Sequence, residues 1–147
     1  MNDSKPLNLL FLCTGNSCRS QMAEGFARAL GGGGVMVRSA GIEAHGKNPR
    51  AIAAMEELGI DISSQESTQL TPAMLDEVDV IVTVCGDADE RCPALPPGTR
   101  RVHWPLPDPA RVQGSEEEIT DFFRRVRDEI RRRVSALLEA ERRGHTP

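Results

Sequence analysis

The sequence predicts a single α/β domain, residues 1–147, built on a four-stranded parallel sheet flanked by helices on both faces. Three observations predict it. Four short apolar or β-branched runs alternate with segments of helical periodicity. The first run, "LNLLFLC", is continuously apolar, as in a strand buried on both faces. No internal repeat or interdomain linker breaks the 147 residues, which suffice for one core.

The elements follow in order. Leu7 to Cys13 is the first strand. Gln21 to Leu30 reads as a helix, with Met22, Phe26 and Leu30 spaced along one face. "GGGG" at 31–34 ends it and gives a flexible connection. Val35 to Ser39 is a second strand. Pro49 opens a helix running to Leu58, and Gly59 stops it. "TPAMLDEVD" reads as a short helix with Thr71 as its cap and Pro72 in its first turn. Val80 to Val84 is a third strand. "GDADERCP" suits a short helix that Asp87 can cap, with Glu90 three residues on and Pro93 at its end. Arg101 to His103 is a fourth strand. Glu116 to about Arg143 is a long helix with an apolar stripe through Ile119, Phe122, Phe123, Val126, Ile130, Val134, Leu137 and Leu138. The Arg-rich stretch 124–133 reads as its solvated face.

Composition narrows the function. Hydrophobic residues make up 39% and charged residues 27%, as in ordinary globular proteins. A formal charge of −4 argues against general nucleic-acid binding. No apolar run is long enough to cross a bilayer or to serve as a signal-peptide core, so no membrane association or export is expected. A cytoplasmic, monomeric protein is expected, with its thiols in a reducing compartment. Four cysteines, at 13, 18, 85 and 92, then ask whether they hold structure, hold metal or do chemistry. Their spacings, C-x4-C and C-x6-C, suit zinc poorly, so no metal is expected. His45, His103 and His145 show no ligand spacing and read as surface or packing residues.

The stretch "CTGNSCRS" joins the first strand to the first helix. In open α/β sheets, ligands bind at this place. Backbone N–H groups of Thr14, Gly15, Asn16, Ser17 and Cys18 can form an anion nest, and the following helix start adds a positive end. Gly15 permits unusual dihedrals and close approach of the anion. Arg19 can offer a planar fork to a tetrahedral oxyanion. The same field favours the thiolate of Cys13, a candidate nucleophile. Ser20 can donate to that sulfur, and Asn16 can hold the loop from behind.

These residues carry a resemblance. "LFLCTGNSCRSQMAE", "SAGI" at 39–42 and "DP" at 108–109 resemble the low-molecular-weight tyrosine phosphatase fold family, with its flavodoxin-like layout, over nearly the whole chain. "SAGIEAHGKNP", "VTVCGDADERCPALPP" and "HWPLPDPA" are similar to its thioredoxin-coupled arsenate reductases. Asp108 matches the general-acid aspartate, which would protonate a departing oxygen; Asp-Pro is also a common turn start. A phosphotyrosine pocket wants aromatic walls. This chain has no Tyr, one Trp and four Phe, and Ala110 stands where the phosphatases have an aromatic.

The reductase branch instead needs Cys85 and Cys92, whose spacing this chain matches. The resemblance implies that Cys13 attacks arsenate, Cys85 attacks Cys13 with release of arsenite, and Cys92 attacks Cys85. Thioredoxin, supplied ultimately by NADPH, would reduce the final disulfide, with no tightly bound cofactor. Cys18 has no necessary step and reads as a packing residue. Weak phosphatase activity is the expected side reaction. A non-enzymatic oxyanion sensor would need neither the acid nor the relay thiols. Some reductases of this branch bind a monovalent cation near the anion loop. Asn16, Glu24 and Ser39 match its ligands, but Thr68 stands where a carboxylate is expected, which argues against a potassium site.

Overall fold

A computed structural model of the chain describes residues 6–142. Four strands, β1 (Leu7–Cys13), β2 (Val35–Gly41), β3 (Val80–Thr83) and β4 (Arg100–His103), form one parallel sheet in the order β2-β1-β3-β4. The helices are α1 (Arg19–Gly31), α2 (Pro49–Glu56), α3 (Gly86–Arg91) and α4 (Glu116–Arg142). The chain leaves β1 toward one edge through α1, and leaves β3 toward the other edge through α3. Right-handed crossovers therefore set α1 and α3 on opposite faces.

Burial follows the sheet order. The central strands β1 and β3 supply Leu9, Leu10, Phe11, Leu12, Val80, Ile81 and Val82, all at most 2% exposed. Strand β4, at the edge, is only half-buried. Against β1 packs α1 through Met22, Ala23, Phe26 and Ala27. Helix α4 in turn covers α1 and α2, burying Phe123, Val126, Ile130, Val134 and Leu138.

Several local expectations need correction. Helix α1 begins at Arg19, so the loop runs straight into it, and Leu30 is half-exposed rather than on the buried face. Strand β2 continues to Gly41, two residues past Ser39, because it pairs with β1 along the full length of that strand. Helix α2 ends at Glu56, and Gly59, at φ 77°, completes the turn away from it. Residues 72–75 make one 3-10 turn, and the Thr71 hydroxyl makes no capping bond. Strand β3 stops at Thr83. Asp87 does not cap α3: Cys85 does, its sulfur accepting from Ala88 N at 3.4 Å. The glycines at 32–34 form a short 3-10 turn after α1.

The Arg-rich stretch of α4 is not all solvated. Arg127 is buried, and it donates to Ala54 O at 2.8 Å and to Glu57 at 2.8 Å. Arg124 joins the same carboxylate. Helix α4 also starts on a capping box that the sequence reading missed. Ser115 Oγ accepts from Glu118 N at 3.1 Å while Glu118 Oε1 accepts from Ser115 N at 2.8 Å. The sequence-based end of this helix near Arg143, and His145, lie outside the described residues.

Candidate active site

Residues 13–18 wrap the carboxyl end of β1. Every backbone carbonyl from Cys13 to Ser17 is tied away from the loop's interior. Ile42 N donates to Cys13 O (3.0 Å), Glu43 N to Thr14 O (2.8 Å), His45 N to Gly15 O (2.9 Å) and Asn48 N to Ser17 O (3.0 Å). Gln21 Nε2 donates to Asn16 O at 3.0 Å. With the carbonyls held outward, the loop's N–H groups converge inward, together with the unpaired first amides of α1. No acidic residue stands in the first turn of α1 to compete for them.

Two glycines make this possible, and neither acts by its dihedral. A side chain at Gly41 would meet Glu43 O at 2.1 Å and Asn16 N at 2.7 Å, so the segment after β2 can lie against the loop only without one. A side chain at Gly15 would meet the His45 ring at 2.4 Å. Asn16, at φ 49°, takes the left-handed conformation expected of Gly15.

The hydrogen bonds around Cys13 have a fixed direction. Thr68 N donates to Asn16 Oδ1 at 2.7 Å, which orients the amide. Asn16 Nδ2 then donates to Ser20 Oγ at 2.8 Å and to Ser39 Oγ at 2.9 Å. Ser39 Oγ donates to Glu24 Oε1 at 2.6 Å. Ser20 therefore has its own proton free for Cys13 Sγ, 2.8 Å away, and Asn16 N donates to the same sulfur at 3.2 Å. Two hydrogen-bond donors thus point at this one sulfur.

Arg19 is held rigidly beside the loop. Its Nη1 donates to Leu106 O at 2.9 Å and reaches Val84 O at 3.4 Å. Its Nε is buried without a partner. An unpaired guanidinium donor in a cleft wall is what a tetrahedral oxyanion would satisfy. Asp108 Oδ2 lies 3.7 Å from Arg19 Nη2 and 3.5 Å from Arg111 Nε. Its Oδ1 accepts from Ala110 N at 3.0 Å, so Asp108 both caps its own turn and faces the cleft.

The cleft holds about 720 Å³ and is lined by Cys13, Thr14, Gly15, Ser17, Cys18, Arg19, His45, Cys85, Asp87, Asp108, Ala110 and Arg111. It thus brings together all the expected residues except Asn16 and Ser20, which support it from beneath, and Cys92. Cys92 is half-buried at the end of α3, and that burial pushes its thiol up. Burial, followed by the Asp108 charge, pushes Cys18 up to about 12, so it sits as a thiol, in keeping with a packing role. All four cysteines are free. Thr14, Asp87, His45 and Arg111 line the cleft, although the sequence pointed to Thr14 only for its amide, to Asp87 as a helix cap, to His45 as a surface or packing residue, and to Arg111 not at all. Trp104 is buried against Phe11, ring centroids 5.9 Å apart, and supplies no aromatic wall.

The residues that match a monovalent-cation site do meet, but a guanidinium already supplies their positive charge. Asn16 Oδ1 accepts from the backbone N of Thr68, and residue 68 brings no carboxylate to the set. Glu24 accepts from Ser39 and from Arg28 Nε at 2.9 Å, and that guanidinium supplies the positive charge. This set does not fit a potassium ion.

The chain matches the family described as Low molecular weight phosphotyrosine protein phosphatase over residues 8–145. An arsenate reductase of Bacillus subtilis (strain 168) is 56% identical to it over 131 residues, 89% of this chain and 94% of the relative. A solved arsenate reductase in the phosphate binding state is 40% identical, with TM-score 0.73, covering 90% of this chain and 97% of that one. The thioredoxin-dependent arsenate reductase of Corynebacterium glutamicum is 27% identical, with TM-score 0.70, over 95% of this chain and 65% of that one. The chain belongs to the low molecular weight phosphotyrosine protein phosphatase family, on the side of its arsenate reductase relatives.

Proposed function

We propose that this protein reduces arsenate to arsenite in the cytoplasm, with a disulfide relay through Cys13, Cys85 and Cys92 that thioredoxin resets. The observation that carries the reading is the shared cleft of two thiols and one oxyanion fork: Cys13, Cys85 and Arg19 all line it. The register explains the meeting. Strands β1 and β3 are adjacent and parallel, with Leu12 opposite Thr83, so both cysteines emerge at the same end of the sheet.

Arsenate would bind through the loop amides and the Arg19 fork. The Cys13 thiolate attacks arsenic and one oxygen leaves as water, protonated by Asp108. Cys85 then attacks the Cys13 sulfur. A sulfur–sulfur bond forms, the sulfur–arsenic bond breaks, and its electron pair stays on arsenic, which leaves as arsenite. Cys92 attacks Cys85 and frees Cys13. A dithiol of the thioredoxin class then reduces the Cys85–Cys92 bond, drawing electrons ultimately from NADPH. Aryl-phosphate hydrolysis is a weak side activity, because no aromatic wall holds a phenyl ring.

The test is NADPH oxidation in the presence of thioredoxin, thioredoxin reductase and this protein, run beside an aryl-phosphatase assay. Oxidation that needs both arsenate and Cys13 is expected. Rapid phosphatase turnover with no arsenate-dependent oxidation would overturn the reading.

A further inference from the structure

Thr14 joins Cys85 to Asp87. Its hydroxyl donates to Asp87 Oδ2 at 2.9 Å and lies 3.2 Å from Cys85 Sγ. A threonine hydroxyl has one proton. The carboxylate takes it, so the bond to Cys85 must run from S–H to the Thr14 oxygen. The three groups form a directed chain, from Cys85 S–H through Thr14 O–H to the Asp87 carboxylate. Arg91, one helical turn on from Asp87 in α3, lies 3.2 Å from Oδ2 and fixes the carboxylate's orientation.

We infer that Asp87 is the proton acceptor that activates Cys85, working through Thr14. The inference rests on the relay proposed above and adds a base to its second step. As Cys85 attacks the Cys13 sulfur, its proton passes to the Thr14 oxygen and the Thr14 proton passes to Asp87. The sulfur–sulfur bond forms, the sulfur–arsenic bond breaks with its electrons on arsenic, and Asp87 ends protonated. Its half-exposed side chain then returns the proton to water.

The other charged groups of the cleft do not offer this route. Arg19 and Arg111 carry no free base, and Asp108 is engaged with both of them and with Ala110 N. His45 pairs with Glu43 at 2.6 Å, on the Gly15 side of the loop. Among the described residues, only Thr14 Oγ1 and the backbone N–H of Ala88 are within hydrogen-bond reach of Cys85 Sγ, and the latter is a donor.

The experiment uses a Cys92→Ser parent, in which the Cys13–Cys85 disulfide accumulates after a single addition of arsenate. Its rate of formation is read by quench and mass mapping between pH 6 and 9. Asp87→Asn keeps an oxygen for Thr14 but not a base, and it should slow the step about 10²-fold at pH 7. The loss should shrink as pH rises, because hydroxide replaces the carboxylate. Thr14→Val should behave alike and add nothing in the double variant, while Thr14→Ser restores the rate. An equal loss at every pH, or no loss, would overturn the role of Asp87. A parent that forms no such disulfide would overturn this inference together with the relay beneath it.

Discussion

Ser20 Oγ lies 2.8 Å from Cys13 Sγ, and because Asn16 already donates to it, its proton points at the sulfur. The sequence put these residues seven apart, across a loop and the start of a helix. The fold turns that spacing into one short hydrogen bond at the sulfur.

Ser20→Ala should therefore weaken the nucleophile without disturbing the oxyanion site. A hydrogen bond to a charged group is worth about 1.5–3 kcal/mol, so alkylation of Cys13 at pH 7 should slow by roughly tenfold or more. Arsenate turnover should fall with it. Iodoacetamide kinetics with peptide mapping are the measurement, and an unchanged Cys13 rate would remove Ser20 from the thiolate's support.

Asp108→Asn should slow the first chemical step by about 10²–10⁴-fold, the usual range for general acid catalysis. The amide oxygen can still accept from Ala110 N, so the 109–111 turn should survive. Oxyanion affinity should change little. Single-turnover rates and phosphate competition separate the two effects. A normal rate would leave Asp108 as a turn cap only.

The part of this site that the sequence made legible is the part encoded locally. A buried strand, a tight loop and a helix start follow one another over residues 7–19, and the loop lies at the carboxyl end of β1. The misses come from contacts distant in sequence. Thr14 and Asp87 are 73 residues apart and meet only because β1 and β3 pair. Asp87 looked like the cap of α3 by residue type, but a sulfur, Cys85, takes that place and frees the carboxylate for Thr14. Arg127 looked solvated by composition; its burial depends on where α2 ends. The reason for glycine in "SAGI" is the loop lying against Gly41, which no periodicity reveals.

Stability at low pH should report the join between α2 and α4. Hydrogen bonds from Arg124, then Arg127, hold the Glu57 carboxyl down from 4.5 to about 2. Its folded pKa is depressed, so its stabilisation is fully present above about pH 4.5 and lost as pH falls toward 2. Glu57→Gln should melt lower than the parent at pH 7, and the two should converge as the pH approaches 2. Salt should narrow the gap in part, because the Arg124–Glu57 pair is exposed while Arg127 is buried. Parallel melting curves across this window would show that the ion pairs add nothing.

Oxidation should unwind α3. Cys85 caps its start and Cys92 its end. The seven residue steps from one to the other span about 10.5 Å of helix rise, whereas a disulfide needs Cα atoms roughly 4.4–6.8 Å apart. The pair cannot close across the intact helix. The helix is also lightly held. Ala88 is its one buried residue, and its other ties are polar: Thr14 to Asp87, Thr83 to Asp89 at 3.1 Å, and Arg101 to Asp89 O at 3.0 Å. Such a segment opens at small cost. Burial keeps Cys92 a thiol while α3 is folded, so unwinding both brings it toward Cys85 and returns it to water, where the thiolate forms more readily. Amide exchange over 85–93 should therefore be slow in the reduced protein and fast after turnover, with mass mapping showing the Cys85–Cys92 bond. Cys92→Ser should stall after one turnover with Cys13 joined to Cys85 and α3 still protected. Equal protection of wild-type α3 before and after turnover, with no Cys85–Cys92 bond, would remove the second exchange from the reaction.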